Sequence, residues 1–233
     1  MIELVAFDMA GTTIDDHGLV YVALERCVTD AGATVHPRDL QLWMGTDKVT
    51  AIGALLRLGG VEPTQSTVSS AFDGFRRILA QSYRDLPPVA LPGVEGALRE
   101  LRSRGIRVAL TTGFTSEVAE AILHSIGWTI GPAVEGAAPT DLLDAVVTTS
   151  DVPSGRPAPY LIHRAMERTG VVDVRRVLAA GDTIVDLLAA RNAGVIGVGV
   201  LTGGLGRAEL EAQPHDHILA SVADVPGLAE ATA

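Results

Sequence analysis

Four short segments of this sequence hold side chains that could do chemistry together: Asp8-Met9-Ala10-Gly11-Thr12-Thr13, Thr111-Thr112-Gly113, Ser154-Gly155-Arg156-Pro157 and Gly181-Asp182-Thr183-Ile184-Val185-Asp186. They offer three carboxylates, hydroxyls, a guanidinium and several glycine amides. That set suits phosphoryl-type transfer, in which a carboxylate such as Asp8 attacks phosphorus and forms an acyl phosphate that water later cleaves. An aspartate attacking a dianion is repelled, so the reaction calls for a hard divalent cation bound by oxygens, expected to be Mg²⁺, with Asp8, Asp182 and Asp186 as candidate ligands. Thr112 can donate its hydroxyl to a phosphoryl oxygen beside the amide of Gly113. Arg156, kept extended by Pro157, presents a planar fork to Asp8 and to phosphoryl oxygens. Plainer roles compete: a turn residue for Asp8, a helix cap for Thr112, and a helix-face carboxylate for Asp186, one turn beyond Asp182.

The elements that must position these residues can be read from hydrophobic runs. Leu4 to Phe7, Val108 to Leu110, Ala145 to Val147, Val177 to Ala180 and Val195 to Leu201 read as buried parallel strands. Helical patterns over Gly93 to Arg104 and Ala158 to Thr169, each followed by glycine, alternate with them. Strand alternating with helix predicts an α/β fold, a doubly wound parallel sheet whose ligands sit beyond the carboxyl ends of the strands, where the four segments fall. From about Gly18 to Tyr83 the patterns are helical (Leu19 to Ala31, Thr50 to Leu58, Val68 to Tyr83). The expected organisation is therefore a core of residues 1–16 and 88–233 with an inserted α-helical cap domain, 17–87, rejoined through the proline-rich stretch Leu86 to Gly93.

The chain has 233 residues, room for a core of about 150 residues carrying a smaller insert. Its 18 Lys and Arg against 28 Asp and Glu give a net charge of −10, with the cations scattered, which argues against nucleic acid as a partner. The single cysteine, Cys27, cannot form an internal disulfide and is expected as a small core residue. No signal-peptide pattern opens the sequence and no apolar run approaches the ~18 residues that span a bilayer, so a cytoplasmic protein without membrane contact is expected. The glycines of Gly197 to Gly203 lack the spacing of a dinucleotide loop, and His215-Asp216-His217 offers too few ligands for zinc.

The four segments, in this order, resemble the signature motifs of the haloacid dehalogenase superfamily, Mg²⁺-dependent hydrolases acting mostly on phosphate compounds; the resemblance spans the whole chain. More narrowly, Ala10 within the first motif, Thr112-Gly113, Gly155-Arg156-Pro157 and Met44-Gly45-Thr46-Asp47-Lys48 resemble phosphonoacetaldehyde hydrolase (phosphonatase) and its relatives. The resemblance implies a HAD-like, Rossmann-type core and a helical cap supplying a Schiff-base lysine, Lys48. It also implies the carbonyl of Ala10 as a further metal ligand, and Gly11, Thr12, Gly113 and Met44 against a small phosphorylated or phosphonate substrate. A homodimer formed through the cap is implied by the resemblance alone. Superfamily phosphatases commonly carry an acid two residues after the nucleophile to protonate a departing oxygen; Ala10 cannot do so, whereas cleavage of a C–P bond through an imine has no such need. The sequence departs from the phosphonatase pattern at Ala51, Phe114 and Gly18, where histidine, tyrosine and cysteine are expected. Two other readings stand beside this one: a phosphomonoesterase such as a phosphoglycolate phosphatase-like enzyme, and a non-catalytic protein that binds phosphate compounds.

Overall fold

Short apolar runs with β-branched residues form the strands of this chain. In the computed structural model, which describes residues 1–131 and 141–232, they are β1 (Leu4–Phe7), β2 (Ile14–Asp15), β3 (Val89–Ala90), β4 (Arg107–Thr111), β5 (Thr129–Ile130), β6 (Asp141–Leu143), β7 (Ala145–Val147), β8 (Val177–Gly181), β9 (Ile196–Val200) and β10 (His217–Leu219). Among the described residues, six of these make one sheet in the order β10-β9-β8-β1-β4-β7, and every pair in it is parallel. All four residues of β1 and all five of β8 are buried, as strands covered on both faces must be. The chain runs outward from β1 to β4 and β7, then returns to β8 and continues outward to β9 and β10. The sheet therefore reverses its order between β1 and β8, the kind of place where open α/β sheets bind ligands.

Contacts divide the described chain into two compact units, Met1–Asp15 with Val89–Ala233, and Asp16–Pro88. The second unit is helical: α1 (Leu19–Asp30), α2 (Pro37–Leu42), α3 (Lys48–Leu58) and α4 (Gln65–Asp85). Its core comes from residues three and four apart, such as Val20, Ala23, Leu24 and Cys27 on α1 and Ala71, Phe75 and Leu79 on α4. Two of these helices start earlier than their apolar periodicity, and capping is the reason. Asp47 accepts from the amide of Thr50 at 2.9 Å, which draws Lys48 into α3, and Thr64 accepts from the amide of Thr67 at 3.1 Å, which starts α4 at Gln65 rather than Val68. Cys27 is buried, and burial pushes its thiol up to about 12.

The first unit carries the remaining helices, α5 (Val94–Ser103), α6 (Ser116–Ile126), α7 (Tyr160–Thr169), α8 (Ile184–Ala193), α9 (Arg207–Glu211) and α10 (Val225–Ala231). Leu161, Ile162 and Ala165 of α7 and Ala189, Ala190 and Ala193 of α8 join Leu4, Ala109, Val147 and Val177 of the sheet in one core. Small residues let helices lie close to the strands. A Cβ on Gly197 would meet that of Ala190 at 3.3 Å, and one on Gly199 would stand 2.6 Å from Ile218, so these two glycines serve packing. The short antiparallel pair β2 and β3, with Ile14 opposite Ala90, closes the first unit where the chain leaves and re-enters it, an arrangement with no hydrophobic signature in the sequence. Among the described residues no helix is long and apolar enough to cross a membrane.

Candidate active site

The carboxylates converge because three neighbouring strands, β8, β1 and β4, end together. Phe7 is in register with Ala180 on one side and Leu110 on the other, and the amide of Asp8 donates to the carbonyl of Ala180 at 2.9 Å, so the pairing extends one residue past β1. Asp8 thus emerges beside the end of β8, which Asp182 follows. After Asp8 the chain turns at once: the amides of Thr12, Thr13 and Ile14 all donate to the carbonyl of Met9, and Gly11 adopts φ +86°, where a side chain would be strained. A Cβ there would also stand 2.6 Å from Asp182 Oδ2. Thr12 is fully buried and donates its hydroxyl to Asp182 Oδ1 at 2.8 Å, so its side chain serves the acid cluster. Asp186 sits in the first turn of α8, where it accepts from both the amide and the hydroxyl of Thr183 in a capping box.

Among the described residues, Asp8, Asp182 and Asp186 bring carboxylate oxygens within 4.8 Å of one another, and all three are buried. Arg156 threads between them. Its Nη2 lies 2.6 Å from Asp8 Oδ1 and donates to the carbonyl of Thr111 at 2.7 Å, while Nη1 lies 2.6 Å from Asp186 Oδ1. The planar fork thus ties together the ends of β1 and β4 and the start of α8, which a flexible lysine ammonium could not do in one fixed plane. Three carboxylates facing one guanidinium leave an excess of two negative charges if all are ionised. The electrostatics register that excess. Burial, then the charges of Asp8 and Asp186, hold the Asp182 carboxyl well above the ordinary range. Burial pushes Asp186 up to about 6 against the opposing pull of Arg156, with Asp8 adding to the rise. For Arg156, burial works against the charge, and Asp186 and Asp8 outweigh it. A buried, oxygen-only, electron-rich cluster is what a hard divalent cation requires, so these residues fit such an ion.

Thr112 and Gly113 follow β4. The amide of Thr112 donates to Val147 at 3.0 Å and its hydroxyl accepts from the amide of Phe114 at 3.2 Å; the N-cap of α6 is Thr115, so Thr112 is not a helix cap. Lys48 and Met44 belong to the helical unit. There the Thr46 hydroxyl donates to the carbonyl of Trp43 at 2.8 Å, and the buried Lys48 donates from Nζ to the carbonyl of Thr46 at 2.9 Å. Sequence reasoning placed Thr111 in a candidate segment but gave it no role; its carbonyl anchors Arg156. Sequence reasoning missed the loop after β9, where the Thr202 hydroxyl donates to the carbonyl of Gly11 at 2.6 Å and Gly203 abuts Asp182.

Comparison with known proteins agrees with this architecture. The model of the haloacid dehalogenase-like hydrolase family matches residues 2–194. The chain is 32% identical over 234 residues to a phosphonoacetaldehyde hydrolase of Bacillus cereus, covering 93% of this chain and 83% of that one. It is 32% identical over 232 residues to that of Bacillus anthracis, covering 92% and 82%. Among solved structures, a hydrolase from Pseudomonas syringae superposes with a TM-score of 0.84 at 22% identity, covering 99% of both chains. A phosphonoacetaldehyde hydrolase-like protein from Oleispira antarctica superposes with a TM-score of 0.79 at 22% identity, covering 99% of this chain and 92% of that one; at these identities the structures speak for the fold. With the family match spanning most of its length and Asp8, Asp182 and Asp186 gathered at the carboxyl end of one parallel sheet, the chain belongs to the haloacid dehalogenase-like hydrolases.

Proposed function

We propose that this hydrolase is phosphonatase-like and Mg²⁺-dependent, cleaving the C–P bond of a small aldehyde-bearing phosphonate such as phosphonoacetaldehyde. The observation that carries the reading is the buried convergence of Asp8, Asp182 and Asp186 around Arg156, with Ala10 where an acid would be needed to protonate an oxygen leaving group. The name of its 32% identical relatives supports the choice of substrate class. Asp8, Asp182 and the carbonyl of Ala10 would hold Mg²⁺, with Asp186 direct or through water; when bound, the ion supplies positive charge against the anionic substrate and nucleophile.

The protein's own residues account for the remaining chemistry. Lys48 condenses with the aldehyde and releases water, leaving an iminium. Asp8 then attacks phosphorus in line, the C–P bond breaks, and its electron pair passes into the iminium to give an enamine. Arg156 and Thr112, with the amide of Gly113, take up the phosphoryl oxygens as Arg156 keeps Asp8 oriented. Protonation and hydrolysis of the enamine free acetaldehyde and the lysine, and water cleaves the aspartyl phosphate. Gly11 and Thr12 shape the turn beneath the phosphoryl group, and Met44 shades the amine.

Borohydride trapping in the presence of phosphonoacetaldehyde, followed by peptide mass spectrometry, tests the proposal. A reduced adduct on Lys48 is expected, together with phosphate release that Asp8→Asn abolishes. The departures at Ala51, Phe114 and Gly18 favour the phosphomonoesterase alternative, whose signature is different: phosphate release from esters that survives Lys48→Ala, with no adduct.

A further inference from the structure

We propose that Thr202 and Gly203, on the loop after β9, are positioning residues that clamp the acid cluster and set its affinity for a divalent cation; the proposal rests on reading Asp182 as a ligand of that cation. Gly181 of β8 is in register with Gly199 of β9, so the loop leaving β9 emerges beside Asp182. It comes closer than any side chain would allow. A Cβ on Gly203 would stand 1.8 Å from Asp182 Oδ2 and 2.5 Å from its Cγ.

Asp182 has nowhere to retreat. It is 2% exposed, Thr12 holds Oδ1, and a Cβ on Gly11, on the nucleophile turn, would fall 2.6 Å from Oδ2. The two glycine backbones therefore crowd one carboxylate, and Thr202 joins them by donating its hydroxyl to the carbonyl of Gly11 at 2.6 Å, across 191 residues of sequence. A relay follows from these contacts. Thr202 orients the peptide joining Gly11 to Thr12, Thr12 orients Asp182, and Gly203 limits the carboxylate to one rotamer. Groups outside the ligand shell that orient ligands in this way commonly change metal affinity by about 10–100-fold when removed.

The experiment is titration of the full-length protein with Mn²⁺, read by the electron paramagnetic resonance of the free ion, for wild type, Thr202→Val, Thr202→Ser and Asp182→Asn. Thr202→Val should bind Mn²⁺ at least about tenfold more weakly, and Thr202→Ser, which keeps the hydroxyl, should bind near the wild-type level. That rescue separates orientation of the carbonyl from general loss of packing. Should Thr202→Val fail to fold, Thr202→Ala removes the hydroxyl without adding bulk and carries the same expectation. Wild-type affinity in the hydroxyl-free variant, with binding lost in Asp182→Asn, overturns the clamp while leaving Asp182 as a ligand. Unchanged binding in Asp182→Asn overturns both.

Discussion

The acid cluster and the Met44 to Lys48 loop are both polar sites, built in opposite ways. In the cluster, Thr12 reaches Asp182 across 170 residues, and Arg156 reaches Asp8 across 148. In the loop, the Thr46 hydroxyl bonds to Trp43 three residues away, Lys48 to Thr46 two away, and Asp47 to Thr50 three away. The first arrangement exists only when the sheet is assembled, and it holds charges that water would otherwise solvate. These three bonds of the second stay within its own few residues. Buried groups whose partners come from elsewhere in the fold should respond steeply to substitution, and locally satisfied ones weakly.

Removing the hub of the cluster is the strongest way to break this contrast. Arg156→Met should lower stability in EDTA by about 3–5 kcal/mol, because Asp8 and Asp186 are left buried with no countercharge. Urea unfolding measures this; a loss under about 1 kcal/mol, the scale of an exposed pair, would mean the cluster is not the tightly coupled unit described.

Titration gives the next effect. The Asp186 carboxyl is raised from 3.8 to about 6 in the folded protein. A folded-state value above the unfolded one means that the native protein binds the proton more readily, so the contribution to stability is complete below about pH 4 and disappears as pH rises through 6. In EDTA the wild type should therefore lose of order 1–3 kcal/mol more between pH 4 and pH 7 than Asp186→Asn, which does not titrate but keeps the cap on Thr183. Saturating Mg²⁺ should reverse the trend, since cation binding favours the ionised carboxylate. Parallel profiles for the two proteins, followed by calorimetry, would contradict the electrostatic account of the cluster.

The smallest effect belongs to the loop. Thr46→Val removes the hydroxyl bond to Trp43 but leaves the backbone carbonyl that receives Lys48, and should reduce stability by only about 1 kcal/mol, with the borohydride adduct at Lys48 retained. A loss of several kcal/mol in thermal unfolding would show that the loop depends on distant parts of the fold after all.

How far each region was legible follows from the same contrast. Buried parallel strands announce themselves as continuous apolar runs, so the strands at Leu4, Val108, Ala145 and Val177 could be read directly, each ending in a polar segment. The pair β2 and β3 could not, because two-residue strands have no periodicity. Helix α3 was visible from Thr50, but its true start needed the Asp47 cap. The aspartates could be named from type and strand-end position. That their oxygens lie within 4.8 Å, that one guanidinium bridges two of them, and that Thr111, Thr202 and Gly203 support them could not be read in this way.

By itself the sequence determined the alternation of strands and helices, the excess of acid over base, and the residue types at strand ends, since each depends on local pattern or simple composition. Tertiary structure alone decided which carboxylates share one buried cluster, how Asp182 is hemmed in by two glycines, and which way the fork of Arg156 is held. Those distances join segments as far as 170 residues apart in sequence, and the register of the assembled sheet sets them.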